Sequence, residues 1–447
     1  MDDACFLGVA ELRARFRSGA LDPAAFVRFV AERAEAENTQ SHAFTGFCPE
    51  RAERVLLETP RAAPLYGIPY SCKDLIGTRD LPTTAASPAW ADYQTGADAE
   101  IVAQLEALGA VLIGKNNLHE WALGTTGVNA HYGTAVNPYD PTRLAGGSST
   151  GSAIAVARGY ASFALGTDTG GSVRAPAALC GLVGFKPSHG RLSTEGVLPF
   201  SWSFDHIGLF ARSVADTALI FSLLAPGPEL RQDKPLKIGL PRAFYFEHCD
   251  PEILAAVEAA AGALQERGAE LRDVAFTEPL ELSRSASITV QMAEAASFHR
   301  PHLEARAARY SEEFRAGLAL GQSLLATHYI DAKRMVEAYR RDAARILEEV
   351  DFLLTPACPI FAPPLGTEQV TETGIVEGAG NALTRYTSLF NMTGQPAIVL
   401  PLGLGRGGLP MGLQLVGRGG GDEALLAAAL RMEDSGIVQR PPPPDPL

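Results

Sequence analysis

Two short loops rich in glycine and serine lie close together in a 447-residue chain. The first is Gly146-Gly-Ser-Ser-Thr-Gly-Ser152, which leads into the helix-like run Ala153-Ile-Ala-Val-Ala-Arg158. The second is Asp168-Thr-Gly-Gly-Ser172, which leaves the strand-like run Phe163–Thr167. One such turn is an ordinary strand–helix connection. Two of them, both carrying serines, gather hydroxyls and backbone N–H groups at one point. That combination suits acyl transfer, which needs a nucleophile, a base for its proton and N–H donors for an oxyanion. Ser172 follows two glycines, so the N–H groups before it can turn toward a substrate without a Cβ in the way. None of the nine histidines lies in either loop. A lysine can act as base where desolvation favours its neutral form. Lys73, in Gly67-Ile-Pro-Tyr-Ser-Cys-Lys73-Asp74, ends an otherwise uncharged strand. Read alone, that segment suits an exposed lysine beside Asp74; read with the serine loops, it supplies the base.

Three other patterns point elsewhere and fail on context. Gly403-Leu-Gly405-Arg-Gly407-Gly408 has dinucleotide-loop spacing, but a second strand follows it, not the helix N-terminus a pyrophosphate needs. Gly109-Ala-Val-Leu-Ile-Gly114-Lys115-Asn116 nearly matches a phosphate-binding loop. Its middle is an apolar strand, and Asn stands where a Mg²⁺ ligand is required. Gly147-Ser148-Ser149-Thr150-Gly151 has nucleophile-elbow spacing, yet loop residues with two prolines precede it where that elbow requires a strand.

Three ordered motifs then match a known family. Gly-Ile-Pro-x-x-x-Lys-Asp, Gly-Gly-Ser-Ser-x-Gly-Ser and Gly-Thr-Asp-x-Gly-Gly-Ser-x-Arg-x-Pro-Ala together resemble the amidase signature family. Ser148 and Ser172 are 24 residues apart, the separation typical of that family. The resemblance continues through Cys180–Pro187, Asn391–Ala397 and Gly408–Gln414, and covers roughly residues 60 to 435. It implies Ser172 as nucleophile. Ser148, after a cis peptide at Gly147, would relay the proton to Lys73. The N–H groups of Thr169, Gly170, Gly171 and Ser172 would form the oxyanion hole. Asp168 and Arg174 would brace the loop as a buried pair, Ser149 would support Ser148, and Gly124, Thr125 and Thr126 would line the acyl pocket. The implied reaction is amide hydrolysis through an acyl-enzyme, with no metal or cofactor. The implied fold is α/β, a single domain with a large twisted mixed β-sheet surrounded by helices.

Two members of the family compete. One is a hydrolase of small carboxamides, extending to esters or carbamates. The other is the A subunit of the glutamine-dependent aminoacyl-tRNA amidotransferase. That subunit holds glutamine with an acidic residue and an arginine. Thr384 falls at the place of the acid, and the place of the arginine falls at Ala316-Gly317, beside Arg315. The chain also looks short for that subunit. These points favour the hydrolase, with a small amide as its partner, neither nucleic acid nor membrane, and a homodimer as the assembly suggested by relatives. Phe44, Trp121, Tyr132, Trp202, Tyr386 and Phe390 are candidates for an apolar pocket and equally for core.

Behind these residues stands an ordinary globular composition. Strands near Ala110–Gly114, Phe163–Asp168, Lys237–Leu240, Phe352–Leu354 and Ala397–Pro401 alternate with helical patterns, which argues an α/β sheet. Residues 1–60 read as a helical flank, opening with two amphipathic helices. Residues 61–435 read as the main domain, with a mostly helical part over about 283–349, and 436–447 as a loose proline-rich tail. Glycine, at 44 residues, exceeds the usual ~7%, and part of that surplus sits in the two loops. The net charge of -13 disfavours a nucleic-acid groove or an anionic membrane as the main target. No run of 18 apolar residues occurs, and the acidic start Met1-Asp2-Asp3 lacks a secretory pattern. Six scattered cysteines without a C-x-x-C pair suit reduced thiols in the cytoplasm. His299-Arg-Pro-His302 is too sparse for a zinc site.

Overall fold

Long uncharged runs such as Phe163-Ala-Leu-Gly-Thr can pair only in a sheet covered on both faces, and a sheet of that kind organises the chain. A computed structural model describes residues 1–228 and 235–446. Its strands are β1 (Phe44–Phe47), β2 (Pro69–Lys73), β3 (Val111–Asn116), β4 (Phe163–Asp168), β5 (Val183–Lys186), β6 (His206–Ala211), β7 (Lys237–Leu240), β8 (Glu270–Asp273), β9 (Phe352–Pro356), β10 (Gln369–Val370), β11 (Glu377–Gly378), β12 (Ala397–Leu404) and β13 (Pro410–Val416). Eleven of them form one mixed sheet in the order β1-β3-β2-β4-β6-β5-β12-β13-β9-β7-β8. β2 lies parallel to both β3 and β4, and β7 to both β8 and β9; the other pairs are antiparallel. Every residue of β2, β3, β4, β6 and β13 is buried. This is the α/β class that the strand–helix alternation predicts, with the large mixed sheet and surrounding helices that the family resemblance implies.

The helix Thr150–Ala157 packs on β2, β3, β4 and β6, and all eight of its residues are buried. Only small residues allow that approach. A Cβ at Gly151 would collide with the backbone oxygen of Ala43 and the backbone of Asn117. The helix therefore sits close enough for the loop before it to face the ends of β2 and β4.

Several expected elements appear with shifted ends. The mostly helical part expected over about 283–349 opens with the helix Ser283–His299, which stops before Arg300-Pro301, where proline removes the next N–H donor. Helices Glu312–Ser323 and Ala326–Glu349 complete the mostly helical segment. In the N-terminal region, Asp22 caps the helix Pro23–Ser41 by accepting from the Ala25 N–H at 2.9 Å. Residues 1–60 are not wholly helical, however. The Asn38 side chain bonds both backbone groups of Phe44 and starts β1 on the sheet edge. The Gly405–Gly408 loop joins the antiparallel pair β12 and β13, so the dinucleotide-like spacing belongs to a hairpin. The proline-rich tail is extended but tied down: the Tyr139 hydroxyl and the Arg158 guanidinium donate to the carbonyls of Pro442 and Asp445. All six cysteines are unpaired, and five are buried. Among the described residues no helix is long and apolar enough to cross a membrane.

Candidate active site

Lys73 closes β2 with its side chain fully buried. Its Nζ donates to Ser148 Oγ at 2.6 Å and to Thr167 Oγ1 at 2.7 Å. The neighbouring Asp74 is not its partner. Asp74 pairs with Lys115 at 3.1 Å and accepts from Thr45 and Thr84. Burial therefore dominates at Lys73 and lowers its pKa to about 7, although the more distant Asp205 and Asp168 pull the other way. This lysine holds a large neutral fraction near pH 7, and it already bonds a serine hydroxyl.

Ser148 follows a cis peptide at Gly147-Ser148. The next residue ties the two loops together. Ser149 N–H donates to the Ser172 carbonyl at 3.2 Å, and Ser149 Oγ donates to the Thr167 carbonyl at 3.0 Å. Ser172 is buried but borders the cavity described below. The N–H groups expected to form an oxyanion hole divide into two kinds. Gly171 N–H already donates to Asp168 Oδ1 at 2.8 Å. Those of Thr169, Gly170 and Ser172 have no protein acceptor among the described residues, so four candidate donors narrow to three. The loop geometry depends on glycine at 171, where φ is +127° and an added Cβ would overlap Thr387 Oγ1. Gly171→Ala is expected to lower stability by about 1–3 kcal/mol and to depress turnover with it. An unchanged thermal melt with unchanged turnover would show that the loop tolerates other shapes.

Asp168 and Arg174 hold this loop from behind, and both are fully buried. Arg174 donates to Asp168 through Nη2 at 2.9 Å and Nε at 3.1 Å. Asp168 also accepts from the N–H groups of Gly171, Val173 and Arg174. Burial alone would raise its pKa, but the Arg174 charge and bonds prevail and hold the carboxyl well below the usual range. Arg174 reaches further, to Gln414 Oε1 at 2.7 Å and Asn391 Oδ1 at 2.6 Å. Both residues lie in segments that the family motifs cover, but nothing local in the sequence joins them to residue 174. Asp205 is a further residue the motifs do not mark. It accepts from Thr169 Oγ1 at 2.6 Å and so fixes the residue that offers the first free N–H.

A cavity of about 750 Å³ opens on Ser172, Thr169 and Gly170. Gly124, Thr125 and Thr126 are among its lining residues. Thr125 Oγ1 donates to the Gly380 carbonyl at 2.6 Å, which links that loop to the helix Ala379–Thr384 across the opening. None of the six aromatic candidates borders the cavity. Phe44, Trp121, Tyr386 and Phe390 are core, Tyr132 is half-buried, and Trp202 is 51% exposed. The apolar wall comes instead from residues such as Leu123, Phe200, Ile288 and Met292. Thr384 and Gly317 both line the cavity, whereas Arg315 does not and donates to the Tyr310 carbonyl at 3.2 Å. Sequence reasoning also passes over His119, whose backbone N–H donates to the Ser148 carbonyl at 3.2 Å. Its ring lies 3.3 Å from Glu313 and 3.4 Å from Thr126 Oγ1.

Comparison with known proteins places this geometry among relatives. The family description Amidase matches residues 25–426. The A subunit of glutamyl-tRNA(Gln) amidotransferase from Roseiflexus sp. (strain RS-1) is 35% identical, covering 94% of each chain. The protein of the same name from Chloroflexus aggregans is 34% identical over 95% of this chain and 96% of that one. A solved amidase crystal structure superposes with a TM-score of 0.89 at 36% identity, covering 96% of this chain and 99% of that one. The two amidotransferase A subunits correct one expectation. A chain working alone or paired only with its own copy, with no link to nucleic acid, does not match them. They are named as one component of a glutamyl-tRNA amidotransferase, which indicates a protein partner. The coverage also removes shortness as a mark against that reading.

Proposed function

The chain belongs to the amidase signature family, and from that premise we propose that it hydrolyses the C–N bond of a small carboxamide through an acyl-enzyme on Ser172. The supporting observation is a buried lysine, without a carboxylate partner among the described residues, bonded at 2.6 Å to a serine hydroxyl. In this reading neutral Lys73 takes the proton of Ser148 as Ser148 takes that of Ser172. Ser172 Oγ attacks the carbonyl carbon, and the oxyanion meets the N–H groups of Thr169, Gly170 and Ser172. The relay then returns the proton to the leaving nitrogen, the C–N bond breaks, and ammonia or an amine departs. Water activated by the same relay cleaves the ester and regenerates Ser172.

The sign of the pH dependence follows from Lys73. Its neutral form is the active one, and that form grows as pH rises through about 7. With acylation limiting, kcat/KM should fall tenfold per unit below about pH 6 and level off above about pH 8. A flat profile from about pH 6 to about pH 10 would remove Lys73 as the base.

A second reading rests on the relatives. Both amidotransferase components match nearly end to end, which favours an ammonia-releasing glutaminase that works with a protein partner and supplies a tRNA-linked reaction. Against glutamine itself stand Thr384 and Gly317, which leave the cavity without ionic groups at those two places. Either reading suits a reducing cytoplasm, where the six cysteines remain thiols. Wild type should be assayed on aliphatic and aryl amides, esters, carbamates and glutamine, with and without candidate partner proteins. Ammonia release from glutamine that rises with the partner selects the second reading. Turnover of other amides without that response selects the first.

A further inference from the structure

Among the described residues, Arg284 is the one arginine that lines the catalytic cavity. It stands in the first turn of the helix Ser283–His299. Its Nη2 donates to Asn381 Oδ1 and its Nη1 to Thr384 Oγ1 at 3.4 Å, both neutral acceptors. Its Nε is buried without any acceptor. Other buried or half-buried arginines differ at their terminal nitrogens, although the Nε of Arg51 and of Arg212 likewise lacks an acceptor among the described residues. Arg51 pairs with Asp98 and Glu106, Arg174 pairs with Asp168, and Arg212 donates to three backbone carbonyls. Two carboxylates, Glu313 and Glu368, border the same cavity, but neither makes an ion pair with Arg284 among the described residues. Arg284 is half-buried on the cavity wall, and a cation partly withdrawn from water without a counter-charge carries a cost that an anion entering the cavity would relieve. The first turn of a helix adds to that cost, since the helix dipole favours anions there and not cations. Burial lowers the pKa of Arg284 to about 10, which leaves it charged at neutral pH.

We infer that Arg284 binds a carboxylate on the substrate, at the end away from the scissile amide, so that the substrate class is carboxamides with a second, anionic end. This rests on Ser172 being the reactive group of the cavity. Its terminal nitrogens are held only by neutral oxygens, which a substrate carboxylate would replace with charge-assisted bonds. The arginine of the amidotransferase falls instead at Ala316-Gly317, on the helix Glu312–Ser323. The anionic subsite of this chain therefore sits on a different wall of the cavity.

An uncharged alkyl fluorophosphonate provides the test, with labelling of Ser172 followed by peptide mass. Labelling is measured against the monoamides of malonic, succinic, glutaric and adipic acids, and against the matching neutral diamides. At least one monoamide acid should protect Ser172 about 10-fold to 100-fold better than its diamide, the range of a charge-assisted hydrogen bond. In Arg284→Gln that ratio should fall to near one, and Arg284→Lys should retain most of it. Equal protection by acid and diamide in wild type, absence of protection across the series, or a ratio that survives Arg284→Gln would overturn the inference. If Arg284→Gln fails to label, Arg284→Lys and wild type decide. If wild type labels elsewhere than Ser172, the acyl-enzyme reading itself falls and this inference with it.

Discussion

Ser172→Ala is expected to lower kcat/KM by about 10⁴-fold or more on any amide or ester the wild type turns over, with no loss of stability. The size follows from the chemistry. Removing Oγ removes the covalent route entirely, and what remains is the assistance that bound N–H donors give to water. Stability should hold because no hydrogen bond of Ser172 Oγ supports the fold among the described residues; it is the Ser172 carbonyl that the Ser149 N–H uses. Ser148→Ala is a different experiment, since its hydroxyl is an acceptor for Lys73. A Ser172→Ala protein that melts as wild type and keeps activity within tenfold would assign the nucleophile elsewhere.

Arg174→Met is expected to cost about 3–5 kcal/mol of folding stability, read as a lower urea midpoint. The loss is of the kind that leaves a buried charge unpaired. Asp168 is fully buried beside Arg174, and methionine restores the volume without the charge. The carbonyl of Thr387 and the side-chain oxygens of Gln414 and Asn391 also lose a donor. Adding Asp168→Leu should recover little. Three backbone N–H groups of the loop would then lose the carboxylate they now share, with no acceptor in its place. A loss below about 1 kcal/mol for Arg174→Met would contradict the account of the pair as the brace of the nucleophile loop.

What can be read from the sequence here is what short range decides. Lys73 at the end of an uncharged strand, the two glycine–serine loops and the β12–β13 hairpin all depend on neighbours within a few residues. Their types alone report strand, turn and absence of Cβ. Strand β4 follows from the same cause, because it is a continuous buried run. The misses have the opposite character. The partners of Arg174 lie more than 200 residues away, at Gln414 and Asn391. Arg284 reaches the cavity only because its helix packs along one wall of it, and a lone arginine in a helical pattern carries no mark of that. Aromatic residues mislead for a related reason. Trp121 and Phe390 are as apolar as a pocket would require, but which surface they cover is set by the packing of distant helices. β1 escapes notice through its shortness, four residues after a long helix.

The proposed mechanism stands or falls on one covalent bond. Wild type, mixed with any amide or ester it turns over and quenched in acid within the first turnover, should carry the substrate's acyl group on the peptide that contains Ser172. The Ser172→Ala protein should carry none. An acyl group on another residue, or steady turnover with no acylated peptide at any quench time, would contradict the account.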